Sequence, residues 1–191
     1  TFTPIFDGES SYSIGCVTLD PNNANTVWVG TGENNNQRSV PYGDGVYLSK
    51  DGGQSWKNVG LKNSEHIGMI KVHPNNSNVV YVAAYGPLWS AGGERGIYKT
   101  TDGGTSWELI LEVSEHTGFN EIHLDPRNPE VLYATAHQRR RHVWTYVSGG
   151  PESDIYKSED GGKNWRKLNN GLPAEKGRIS LAIPTANPDV V

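Results

Sequence analysis

One pattern of eight residues occurs three times in this chain and limits its fold more than any other feature. It reads Ser49-Lys50-Asp51-Gly52-Gly53-Gln54-Ser55-Trp56, then Thr100-Thr101-Asp102-Gly103-Gly104-Thr105-Ser106-Trp107, then Ser158-Glu159-Asp160-Gly161-Gly162-Lys163-Asn164-Trp165. Recurrence at 50 to 60 residues means stacked units. Each copy reads as a tight turn between two strands. The carboxylate can accept N–H bonds from its own turn, and the glycines supply positive φ without steric cost. Trp56, Trp107 and Trp165 then open the next strand and bury a large ring beside the turn. Asp51, Asp102 and Asp160 are therefore read as structural. Three equivalent copies describe a building unit, not one active site.

A second marker keeps step with the first. Leu19-Asp20-Pro21-Asn22-Asn23, Val72-His73-Pro74-Asn75-Asn76 and Leu124-Asp125-Pro126-Arg127-Asn128 are equivalent, and Ala186-Asn187-Pro188-Asp189-Val190-Val191 is a degenerate fourth copy. Between the markers lie segments rich in Val, Ile, Tyr and Trp, bounded by Gly, Pro, Asn and Asp. No window of 11 residues carries a helical apolar stripe. Four antiparallel strands per unit is the signature of a β-propeller blade. The expectation is an all-β propeller segment, residues 1–191, with blades at about 12–62, 65–112 and 116–172. A fourth would begin at about 177–191, its inner strand spanning Arg178 to Ile183. Three blades do not close a ring. Completion by further blades of a larger chain, or by a second copy, is expected.

Composition excludes several classes. A net charge of −4 does not favour nucleic acid. No apolar run approaches a membrane span. The single cysteine, Cys16, cannot form an internal disulfide and suits a small buried hydrophobe. The start, Thr1-Phe2-Thr3-Pro4, lacks the form of a secretory signal. No cofactor and no metal are expected.

Function is expected on the long connections between second and third strands, which differ from unit to unit: Thr31 to Asp44, Tyr85 to Arg95, and Ala136 to Ser153. Arg38, Tyr42, Trp89, Arg95, His137, Arg139, Arg140 and Trp144 are the ligand-binding candidates for glycan or peptide, because aromatics stack on sugars while polar groups bond hydroxyls. The basic run Arg139 to His142 is read as a solvated loop, or as clamps on an acidic ligand or a neighbouring chain. Glu65-His66 and Glu115-His116 lie in matching links and are placed at the mouth of the central channel. Tying one blade to the next is their simpler role.

The motifs resemble the Asp-box, or BNR-repeat, propellers. Val40-Pro41-Tyr42-Gly43-Asp44-Gly45-Val46-Tyr47 and Glu94-Arg95-Gly96-Ile97-Tyr98 look closest to bacterial sortilin-like repeat proteins often labelled glycosyl hydrolases. That resemblance implies structural Asp boxes at the blade periphery and a secreted, periplasmic or envelope location. It leaves two functions open. One is a binding module. The other is a glycoside hydrolase of xyloglucanase type, which needs two carboxylates across a cleft. Asp44, Glu33 and Glu94 are the candidate acids, the partner acid belonging to blades outside this chain. A sialidase would need an arginine trio. Arg38, Arg95 and Arg139 lie on successive units but in contexts unlike that pattern.

Overall fold

A computed structural model describes residues 2–35, 40–189 and 191. The first sheet comprises β1 (Ile14–Asp20), β2 (Asn23–Thr31), β3 (Val46–Ser49) and β4 (Lys57–Gly60). The second comprises β5 (Ile67–His73), β6 (Asn76–Ala84), β7 (Gly96–Thr100) and β8 (Glu108–Leu111), preceded by a 3₁₀ turn at Lys62–Ser64. In the third, β9 (Thr117–Leu124), β10 (Leu132–Arg141), β12 (Asp154–Ser158) and β13 (Arg166–Lys167) repeat the order. One extra strand, β11 (Tyr146–Ser148), pairs with the far end of β10. Every pairing is antiparallel.

The three sheets stack through their first strands, β1 on β5 and β5 on β9. Glycine permits the approach. A Cβ on Gly15 would stand 2.4 Å from the Ile67 carbonyl, and one on its counterpart Gly68 would stand 2.5 Å from that of Asn120. Period-2 alternation then fills both interfaces from one strand. Val80, Val82 and Ala84 of β6 face the first sheet, packing with Trp28, Val46 and Ile67. Tyr81 and Ala83 face the third, with Phe119, Ile122 and Leu132. Cys16 packs against the first cluster, and burial pushes its thiol up to about 12, so it stays protonated.

The Asp boxes lie between third and fourth strands and act as turn staples. Asp102 accepts N–H bonds from Thr105 and Ser106, both 2.9 Å, and hydroxyl bonds from Thr100 (2.7 Å) and Ser106 (2.6 Å). Asp51 is held the same way by Ser49, Gln54 and Ser55, and Asp160 by Ser158 and Asn164. These bonds favour the ionised form and hold all three carboxyls at about 2. Their glycines take φ of 68° to 91°. Trp107 crosses to the preceding blade, donating Nε1–H to the Val59 carbonyl at 2.8 Å, edge-on to Trp28. Trp56 does the same to the Ile5 carbonyl at 2.7 Å. Residues 5–6 thus occupy the place that a fourth strand holds at the next interface. Phe6 packs edge-on to Trp56 and Tyr47.

The free flank of β1 marks a segment of a larger propeller. Val17 is 61% exposed, while its counterpart Ile70 is 1% exposed against the first sheet. Ile70→Ala is expected to cost about 2–4 kcal/mol in urea denaturation and Val17→Ala less than about 1 kcal/mol. Equal costs would show that the Val17 face is covered in solution.

Two expectations are corrected. Residues Arg178 to Ile183 form no strand. They lie along β9 through side-chain bonds, from Asn120 Nδ2 to the Ile179 carbonyl (2.6 Å) and from Leu181 N–H to Glu121 (2.9 Å). An inner strand needs the second strand of its own sheet, and the described residues supply none. The basic run is not a solvated loop either. Arg139, Arg140 and Arg141 extend β10 and pair with β11, because a hairpin through residues 142–145 returns the chain on itself.

Candidate functional site

The long connections share one face with the links between blades. Backbone bonds join them: Gly43 N–H to Glu65 C=O (2.7 Å), Glu94 N–H to Asn63 C=O (3.2 Å) and Gly92 N–H to Glu115 C=O (2.8 Å). The second connection meets the third through Arg141 N–H to Leu88 C=O at 2.9 Å. That bond sets Trp89 beside the hairpin that carries Trp144. Both rings are open to solvent, at 47% and 83%, and Trp144 stacks on His142 at 5.5 Å. The other four tryptophans pack at blade interfaces or turns. Tyr42 on the first connection is also exposed. Arg38 lies outside the described residues.

Below the rim lies a buried basic layer. Arg95 donates to the carbonyls of Gly92 (2.7 Å), Tyr85 (2.9 Å), Ser90 (2.7 Å) and Pro87. It is occupied by its own connection, which it folds into a compact loop. Burial lowers it to about 10, still cationic at neutral pH. Arg139 stacks on Tyr85, Cζ 4.2 Å from the ring centre, and donates Nη1–H to the Asn35 carbonyl at 3.1 Å. Arg141 stacks on Tyr146 at 4.1 Å. Arg140 is half-buried, with Nε and Nη1 lacking partners among the described residues. His137 sits edge-on to Tyr85 at 5.9 Å. Burial first, then the nearby guanidiniums, push His66 and His137 down to about 3. Both are neutral at pH 7.

The two Glu-His pairs are not brought together as one channel-mouth ring. His66 is buried, turned inward by the 3₁₀ turn and by Leu61 and Glu65 in left-handed backbone. His116 and Glu115 are exposed and 3.6 Å apart, because their link makes an isolated bridge between Ser114 and Thr117 instead. Glu65 is half-buried, and that burial raises it. No group of three His, Cys, Asp or Glu able to hold a metal occurs among the described residues.

The candidate acids lie apart in role. Asp44 is caged by hydroxyls: it accepts from Tyr47 at 2.7 Å and from Ser10, with Thr31 at 3.5 Å. Glu94 caps the link, accepting the Asn63 N–H at 2.7 Å. Glu33 is half-buried and lies at the end of β2, beside His66. Sequence reasoning missed Arg178, assigned to an inner strand. Its Nη1 donates to the Asn34 carbonyl at 3.0 Å, a contact 144 residues distant that no local signal marks.

Radially stacked antiparallel sheets with Asp-box corners and a face of divergent loops define a segment of an Asp-box β-propeller. Residues 44–175 match the profile of the Sortilin-Vps10 family, described as sortilin, neurotensin receptor 3, and the chain belongs to this family. It is 28% identical over 186 residues to an oligoxyloglucan-reducing end-specific xyloglucanase of Emericella nidulans, a match over 80% of this chain and 21% of that protein. It is 24% identical over 170 residues to vacuolar protein sorting/targeting protein 10 of Eremothecium gossypii, over 87% and 10%. Among solved structures, an ancestral GH74 enzyme superposes with a TM-score of 0.61 at 24% identity, over 86% of this chain and 19% of that one. The GH74 xyloglucanase of Xanthomonas campestris gives 0.59 at 24%, over 83% and 22%. The chain thus spans about a fifth or less of the curated relatives it matches. No helix of the described residues is long and apolar enough to cross a membrane.

Proposed function

We propose that the loop face of this propeller segment binds glycan. The observation that carries the reading is the placement of tryptophan. Trp89 and Trp144 stand open on the joined second and third connections, while the rest of the chain's tryptophans are packed. An exposed indole face that a protein could bury and does not is a stacking platform. Sugar rings present the apolar C–H faces that suit it. The xyloglucanase name of one relative supports a glycan in preference to a peptide. This reading agrees with an extracellular or envelope site of action.

Binding is favoured over hydrolysis by Asp44. Its carboxylate accepts the hydroxyls of Tyr47 and of Ser10, the arrangement of an anchor and not of a group waiting for substrate. A panel of xyloglucan, β-glucan and acidic oligosaccharides tests the reading, with turnover followed beside binding. Trp89→Ala and Trp144→Ala together are expected to weaken glycan binding about 30-fold or more, at about 1 kcal/mol per stacked ring. Unchanged binding in the double variant would overturn the reading. Turnover that vanishes in Asp44→Asn would replace it with a hydrolase.

A further inference from the structure

Buried polar atoms without a partner are not scattered over this molecule. Among the described residues, all except those of Asp20 and Trp28 belong to Asn34, His66, Tyr85, Asn120 or the run from Thr135 to Tyr146. Native proteins pair almost all such atoms, so a concentration of exceptions needs a reason. Here the exceptions fall into two complementary sets. Nη2 of Arg139, whose residue is only 2% exposed, lacks an acceptor. The amide oxygens of Asn34, Asn120 and Gln138 lack donors.

No carboxylate among the described residues answers these cations. Arg139 and Arg178 bond only the neutral carbonyls of Asn35 and Asn34, and neither takes part in an ion pair. A guanidinium keeps its proton in a protein, so Arg139, buried without an anion, carries an uncompensated charge. A cleft of about 500 Å³ opens beside the cluster, with Ser148, Gly150, Lys176 and Gly177 in its wall. Ser148 lies opposite Arg139 in the β10–β11 pairing, and its Oγ is 3.3 Å from His137 Nε2. Gly177 leads directly into Arg178. Glu175 is the single carboxylate of that wall.

We infer that this cleft, with Arg139 and Arg178 behind it, takes the carboxylate of a uronic acid residue in an acidic glycan. A sugar ring fits a volume of this size. The carboxylate answers the guanidinium donors, as charge-assisted bonds. A ring hydroxyl answers the orphaned amide oxygen of Gln138, which lies against Gly150 of the cleft wall. Trp89 and Trp144 stand on the same face for neighbouring sugars. This inference rests on the glycan reading above and specifies the sugar class.

Calorimetry on the whole chain tests it. The probes are tetramers of galacturonate and of glucuronate, and the same tetramers with their carboxyls reduced to alcohols. At least one acidic tetramer is expected to bind about tenfold or more tighter than its reduced form, and the difference to shrink as salt rises. Arg139→Gln and Arg178→Gln each lower acidic binding about tenfold, and the preference for the acidic over the reduced tetramer falls by the same factor. Arg178 is exposed, so its variant carries the test if Arg139→Gln does not fold. Glu175→Gln, which removes a repelling charge, strengthens acidic binding about two- to fivefold. Equal affinity for acidic and reduced tetramers overturns the inference and leaves the glycan reading standing. So does binding of a neutral glycan from the wider panel with none of these tetramers bound. No glycan bound at all removes both. A free peptide carboxylate bound through Arg139, with uronates ignored, overturns the inference in favour of a peptide.

Discussion

Lowering the pH from 7 to 5 is expected to reduce the free energy of unfolding by up to about 4 kcal/mol, about 2 kcal/mol from each of His66 and His137. Both imidazoles are buried among cations. Arg139 and Arg95 face His66, and Arg139 and Arg178 face His137, so both are held down to about 3. In the unfolded chain each titrates near its ordinary 6.5. Between these values the unfolded state binds protons that the folded state refuses. Stability is therefore full above about pH 6.5 and falls as the pH drops toward 3. The Asp boxes act only lower. Their carboxyls, held at about 2, contribute stability that is present above about pH 4 and lost as the pH falls through 2. The two effects separate on the pH axis. Urea denaturation at pH 7, 6 and 5 reads the histidine part. The double variant His66→Asn, His137→Asn, whatever its stability at pH 7, should show a nearly flat profile over that window. A profile as steep as the parent's would assign the acid sensitivity to other groups.

Arg95→Leu is expected to cost about 3–5 kcal/mol, and its damage to be local. The guanidinium gathers the carbonyls of Tyr85, Pro87, Ser90 and Gly92 into one turn, and leucine leaves all four without this donor, those of Tyr85 and Pro87 in buried surroundings. Hydrogen exchange should accelerate across residues 85–95 ahead of β6 and β7, which flank them. Arg95→Lys should recover little, because one ammonium cannot reach four carbonyls laid out for a planar fork. If Arg95→Leu instead keeps its stability and loses glycan binding, the arginine contacts ligand, as its sequence position on a variable connection suggests.

Arg95 shows where sequence reading stops. Its spacing placed it on the loop face, correctly, but which way the guanidinium points depends on how ten residues curl around it. Tyr42, Trp89 and Trp144 were legible in the same way and do stand open on the connections. The Arg139 to Arg141 run was legible as basic and as part of the third connection. It was not legible as strand, because its pairing partner, β11, is a three-residue segment with no pattern of its own. The matching sequence around His66 and His116 likewise conceals different backbones. One link makes a 3₁₀ turn and buries its imidazole, and the other does not.

What this sequence decides alone is whatever repeats within it. The Asp-Gly-Gly corners, the Pro-Asn turns and the alternating apolar strands depend on residues a few positions apart, so their chemistry is complete in the local text. Hence the three antiparallel sheets, their strand order and the structural role of Asp51, Asp102 and Asp160 could be read directly. What only the tertiary structure decides is whatever joins distant residues once. The meeting of Arg139 with Asn35, of Arg178 with Asn34, and of Tyr85 with His137 spans up to 144 residues. Such contacts leave no periodic trace, because their geometry exists only after the blades have turned about a common axis.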